Sequence, residues 1–233
     1  MGAPGARLAS IASGAVLLEG MLESVPTARG VILFAHGSGS SRHSPRNNYV
    51  AGQLRHSGLA TLLIDLLTPV EYRDFARRFD IALLVERLYA ALRWLHAQES
   101  TARLQVGLFG ASTGAAAALQ LAAAVPSQVG AVVSRGGRPD LAGQRSLERV
   151  RAPTLLIVGG HDPEVLGLNH AALALLACEK ALEIVPGATH LFEEPGTLET
   201  VARLATDWFT RHLAPASAEP LARDAGRLYL RGR

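Results

Sequence analysis

Three residues in this chain have the types needed for nucleophilic catalysis, and each stands just after a short apolar run: Ser112, Asp162 and His190. Ser112 lies in Gly107-Leu-Phe-Gly-Ala-Ser-Thr-Gly-Ala115, a G-x-S-x-G pentapeptide between an apolar strand and an alanine-rich helix. In such a strand-turn-helix elbow the serine occupies a sharp turn, and Gly110 and Gly114 leave room for the backbones to pass. The hydroxyl then sits at a helix N-terminus, where free N–H groups and the positive end of the dipole favour developing negative charge. Gly, Ala and Ser are common here, so the pentapeptide alone is a weak signal; the strand before it and the helix after it supply its weight. The structural alternative for Ser112 is an N-cap.

A serine hydroxyl is a poor nucleophile at neutral pH and needs a base, which in turn needs an orienting group. His190, in Gly187-Ala-Thr-His190, follows the last predicted strand and is the candidate base, with a surface loop histidine as its alternative reading. Asp162, in Gly160-His-Asp162, follows the strand before and is the candidate orienting acid. Asp140, also after a strand, is a rival acid, and Asp162 before Pro163 also suits an Asx turn. For the oxyanion hole the backbone N–H of Thr113 is one expected donor. The second comes from the loop His36-Gly-Ser-Gly-Ser-Ser41, with Ser38 preferred and Gly37 and Gly39 as rivals. His36 reads as a brace for that loop in preference to a catalytic group.

The elements that must position these residues alternate in type. Residues 8–24 suit an antiparallel pair at a sheet edge. Continuous apolar runs at 30–35, 60–65, 107–111, 130–133, 154–158 and 181–185 suit strands buried on both faces. Helices are expected at 45–56, 79–96, 112–125 and 198–213; Ile81, Leu84, Val85, Leu88, Leu92 and Leu95 form an apolar stripe at helical period. Strands alternating with helices predict an α/β fold: a mostly parallel sheet, helices on both faces and right-handed crossovers. One domain over 1–213 and a flexible tail over 214–233 are expected. Arg42, His43 and Arg46 read as solvent-facing in preference to facing the mouth of the site; Arg135 and Arg138, in the polar loop Ser134 to Asp140, read as loop-bracing ion-pair formers in preference to substrate contacts.

Hydrophobic residues make up 48% and charged residues 18%, enough for a large core and no case for disorder. Aromatics, at 5%, are few for nucleic-acid stacking, and the formal charge of +3 is swollen by four arginines near the C-terminus, so no nucleic-acid partner is expected. No run of about 18 uncharged apolar residues occurs, so no membrane partner is expected either. The one cysteine, Cys178, rules out an intrachain disulfide and points to a reducing, cytoplasmic setting; it lies on an apolar helix pattern and reads as core. The glycine-rich loop lacks both G-x-x-x-x-G-K-[ST] and G-x-G-x-x-G entering a helix, and HExxH is absent, so neither cofactor nor metal is expected. Oligomeric state is left open.

With these motifs placed, the chain resembles an α/β-hydrolase, and more narrowly the small, capless dienelactone-hydrolase-like proteins, over about residues 10–213. The chain order Ser112, Asp162, His190 matches that superfamily's triads. Dienelactone hydrolases proper use a cysteine where this chain has Ser112, a departure that points to ordinary ester hydrolysis. The resemblance implies a serine hydrolase with a small-molecule ester substrate. About twenty residues separate the strands at 130–133 and 154–158, too few for a helical lid, so an open site favouring short-acyl esters is expected. Lactone or thioester hydrolysis by the same triad, and a silent binding module, are the alternatives.

Overall fold

Central strands with apolar side chains on both faces need a helical layer on each side, and the chain supplies two. The computed structural model describes residues 5–213; the expected tail over 214–233 lies outside them. Strands β1 (Ala6–Ser13) and β2 (Val16–Glu23) form an antiparallel hairpin turned at Gly14, whose φ of 57° suits glycine. Strands β3 (Val31–Ala35), β4 (Ala60–Ile64), β5 (Val106–Ala111), β6 (Val129–Arg135), β7 (Thr154–Gly159) and β8 (Lys180–Val185) are mutually parallel. The sheet order is β1-β2-β4-β3-β5-β6-β7-β8.

Helices α1 (Pro45–His56) and α6 (Thr197–His212) cover one face; Val50, Leu54, Val201, Ala205 and Phe209 pack there against Ile32, Phe34, Phe109 and Val133. Phe209 is fully buried, worth about 2–3 kcal/mol, and Gly107 makes room for its ring: a Cβ there would stand 2.7 Å from Phe209 Cε1. Helices α2 (Ile81–Ala97), α3 (Thr113–Ala124), α4 (Gln144–Arg149) and α5 (Pro163–Leu175) lie on the other face. Every strand from β3 to β7 is buried almost throughout, as its apolar run requires.

From β3 the chain moves one way through α1 to β4, then returns across β3 through α2 to β5. The carboxyl ends of β3 and β5 are therefore neighbours at the point where the winding reverses, the place where open α/β sheets form a ligand crevice.

Three details differ from the sequence-based expectation. Strand β6 runs on through Ser134 and Arg135, which pair with Gly110 and Ala111, because the sheet continues past the apolar residues that mark its start. Helix α4 has no counterpart among the expected helices, and the apolar helix pattern expected around Cys178 is realised upstream of it as α5. Helix α5 ends at Leu175, so Cys178 lies beyond it, half-buried in the link to β8, with Sγ 3.7 Å from Thr154 Oγ1.

Candidate active site

Ser112 joins β5 to α3 with φ 50° and ψ −121°, a conformation that costs a non-glycine residue about 1–3 kcal/mol. Three backbone bonds hold it there. Its N–H donates to Arg135 O at 3.2 Å, and its carbonyl accepts from the N–H groups of Ala115 and Arg138, each at 3.1 Å. Its side chain caps no N–H of α3, so the hydroxyl is not spent on the helix end. Glycines permit the close approaches: a Cβ on Gly110 would stand 2.4 Å from Ala115 Cα, and one on Gly37 would stand 3.0 Å from Ser112 Cβ.

His190 and Asp162 meet: His190 Nδ1 hydrogen-bonds Asp162 Oδ2 at 2.7 Å. Asp162 occupies the N-cap position of α5 but makes no capping bond, which leaves its carboxylate to the imidazole. The two loops are stitched by Gly160 N–H to Val185 O and His161 N–H to Ala188 O, both 2.9 Å. A Cβ on Gly159 would meet Ala188 O at 2.3 Å, so glycine is what lets them lie so close. Beyond His190, Glu194 accepts both the hydroxyl and the N–H of Thr189, and the Thr189 hydroxyl is the main reason its carboxyl sits below the usual range. Phe192, buried and at φ 55°, anchors the same turn. With Nδ1 committed to Asp162, Nε2 of His190 is the nitrogen left to accept a proton. No hydrogen bond joins it to the Ser112 hydroxyl among the described residues. His190 does lie near the residue that follows Arg135. Gly136, next to the residue that receives the Ser112 N–H, has His190 Cε1 3.6 Å from where its Cβ would be.

Ser38 and Thr113 line one cavity of about 10 Å³ together with Gly37, Tyr72 and Arg78. Thr113 is the first residue of α3, where backbone N–H groups lack helical acceptors. His36 braces the loop that carries Ser38. Its Nδ1 meets Gly37 O at 2.9 Å and its Nε2 accepts the Leu66 N–H at 3.1 Å, the pattern of a neutral ring. Burial accordingly holds its pKa below the ordinary value.

A larger cavity of about 700 Å³ is bordered by His36, Gly39, Arg42, Arg46, Leu67 and Tyr72; none of Ser112, Asp162 and His190 lines it. Arg42, His43 and Arg46 border this cavity; His43 is exposed, as expected, while Arg42 and Arg46 are half-buried. Arg42 is tied to Asp65 and Glu19, and Arg46 to Glu193 at 2.6 Å. Asp140, the rival acid, is engaged by Arg138 at 2.7 and 2.9 Å, which makes Arg138 a loop brace. Arg135 has no such partner. It is 8% exposed, with Nε and Nη1 sealed from solvent and unbonded. Burial first, and the nearby Arg46 second, push its pKa down to about 10. Tyr72 and Arg78, stacked with the guanidinium 4.2 Å from the ring centre, come from a segment of short 3₁₀ turns that has no periodicity to reveal it. Among the described residues, no three His, Cys, Asp or Glu side chains gather as a metal site, and no helix is long and apolar enough to cross a membrane.

The model of the dienelactone hydrolase family matches residues 72–213. Over 203 residues the chain is 60% identical to Mycobacterium tuberculosis proteins named "Putative phosphoribosyl transferase", covering 87% of this chain and 46% of theirs. The chain thus spans about half the length of the curated relatives it matches. The crystal structure of dienelactone hydrolase from Anabaena variabilis is 55% identical, with a TM-score of 0.87, covering 90% of this chain and 99% of that one. Est1E from Butyrivibrio proteoclasticus shares the fold at 15% identity and a TM-score of 0.76, covering 89% and 98%.

Proposed function

The chain belongs to the dienelactone hydrolase family, and from that premise we propose that it is a serine hydrolase cleaving carboxylic esters through Ser112, His190 and Asp162. The observation that carries this reading is the 2.7 Å bond from Asp162 to His190, taken together with a serine held in a strained elbow at the end of β5. His190 Nε2 takes the hydroxyl proton as Ser112 Oγ bonds to the ester carbonyl carbon. The oxyanion is held by the N–H groups of Thr113 and Ser38. The protonated imidazole, steadied by Asp162, then gives its proton to the departing alcohol. Water, deprotonated by the same nitrogen, attacks the acyl-enzyme, and the proton returns to Ser112 as the acid leaves.

Short acyl groups are the favoured substrates. Between β6 and β7 the chain forms only a 3₁₀ turn and α4, which packs beside α3 and α5 and builds no lid. The name of the Anabaena relative favours a second reading, lactone hydrolysis by the same residues. The transferase name belongs to proteins about twice as long, and the hydrolase reading is confined to the region matched here.

Hydrolysis of p-nitrophenyl esters of graded chain length, with a lactone panel beside them, tests the proposal. Turnover is expected to fall roughly 10⁶-fold in Ser112→Ala, and a fluorophosphonate probe is expected to label the parent at Ser112 only. An unlabelled parent that hydrolyses none of these substrates would mark a silent binding module instead.

A further inference from the structure

The cavity of about 700 Å³ has the size of a small-molecule site, and none of the chemical steps above uses it. It adjoins the reacting groups at two places. His36, Leu67 and Tyr72 border both this cavity and the small one that Ser38 and Thr113 line. Arg46, at the start of α1, also borders it and pairs at 2.6 Å with Glu193, on the chain just beyond His190. The cavity thus touches the wall of the oxyanion hole and, through Arg46, the turn that carries the candidate base. An ester held for attack has its carbonyl oxygen at the first and its alcohol oxygen within reach of the second, because His190 must protonate that oxygen as it leaves. The alcohol half is therefore the half that this cavity is placed to receive.

The walls narrow the choice of alcohol. Their charged groups are already answered: Arg42 by Asp65 and Glu19, Arg46 by Glu193, while Arg73 is exposed to water. A charged ligand finds no unpaired buried counter-ion there. The hydroxyl groups of Ser40 and Tyr72, by contrast, form no hydrogen bond among the described residues, and the Ser41 hydroxyl accepts the His43 N–H without donating its own proton. Leu17, Leu67 and Pro69 add apolar surface to the same cavity. Free hydroxyl donors beside apolar patches match a polyol, which presents C–H faces and hydroxyl groups that both donate and accept. We propose that this cavity is the leaving-group subsite and that it takes an uncharged, polyhydroxylated alcohol of the sugar type, esterified with a short acyl chain. This inference rests on the ester-hydrolase reading for its chemistry, but not for the binding of the polyol.

The test compares kcat/KM for ethyl butyrate and glucose 6-butyrate, by titration of the acid released, in the parent and in the double variant Ser40→Ala/Tyr72→Phe. The parent is expected to favour the glucose ester by roughly 10- to 100-fold, and the double variant to lose most of that preference, since two neutral hydrogen bonds together are worth a factor of roughly 5 to 150. A second readout needs no turnover. Calorimetry is expected to show glucose 6-butyrate binding to Ser112→Ala, with a Kd that rises by a similar factor when Ser40→Ala/Tyr72→Phe is added. Binding that depends on these hydroxyl groups, with no ester cleaved by the parent, would keep the polyol site and defeat the hydrolase reading alone. A parent that cleaves the glucose ester no better than ethyl butyrate, a preference that survives in the double variant, or neither cleavage nor binding of the glucose ester would overturn the proposal.

Discussion

Gly114 is the position where one added methyl group does the most calculable damage. A Cβ there would stand 2.1 Å from Ala35 O and 2.6 Å from His36 O. Carbon and carbonyl oxygen approach to about 3.3 Å at closest, so α3 and the end of β3 must separate by about 1 Å. Both obstacles are backbone atoms, at the last residue of a central strand and the one after it, which cannot rotate away as a side chain would. Overpacking of this kind costs about 3 kcal/mol or more, equivalent to a Tm fall of roughly 6–12 °C in a chain of this size. The same separation moves Ser112 relative to the Gly37–Ser38 loop, and a misplacement of about 1 Å is enough for roughly 100-fold in rate. Gly39→Ala is the control: nothing lies within 4 Å of its added carbon, and its φ is not left-handed. Calorimetry and p-nitrophenyl butyrate turnover on both variants decide the matter. A Gly114→Ala protein that melts within about 2 °C of the parent and turns over normally would refute the argument that glycine here is a packing requirement of the elbow.

Two further outcomes follow from the same geometry. Asp162→Asn is expected to lower kcat/KM for p-nitrophenyl butyrate roughly 10⁴-fold, because an amide cannot stabilise the imidazolium; a loss under about tenfold would assign the orienting role elsewhere. Stability is expected to fall as pH drops from about 7.5 to 5. His36, and His96 in the same sense, have folded pKa values lowered by burial below the ordinary 6.5. In the window between the two values the unfolded chain binds the extra proton, so their contribution is full above about pH 6.5 and is lost below it. His36→Gln keeps a donor and an acceptor for Gly37 and Leu66 without titrating, and a Tm-against-pH slope as steep as the parent's in that variant would exclude His36 as a source.

The parts of the site that could be read from the sequence are those with a local chemical signature at a strand end. Ser112 is marked by its flanking glycines, and Asp162 and His190 by apolar runs that stop just before them; parallel topology then brings the three ends to one edge. What stayed hidden depends on pairings between distant segments. Arg135 and Arg138 look alike in sequence, each beside a glycine pair and short of Asp140. Only Arg138 reaches that carboxylate, because β6 runs on through Arg135 and carries its side chain under α1, while Arg138 lies in the loop beyond. The contrast between a braced arginine and an unanswered one is set by where a strand ends, a property of the whole sheet. For the same reason Tyr72 and Arg78 were unreadable: their 3₁₀ segment is ordered by Glu71, held between Thr68 and the buried Arg87 of α2, and no apolar period announces it.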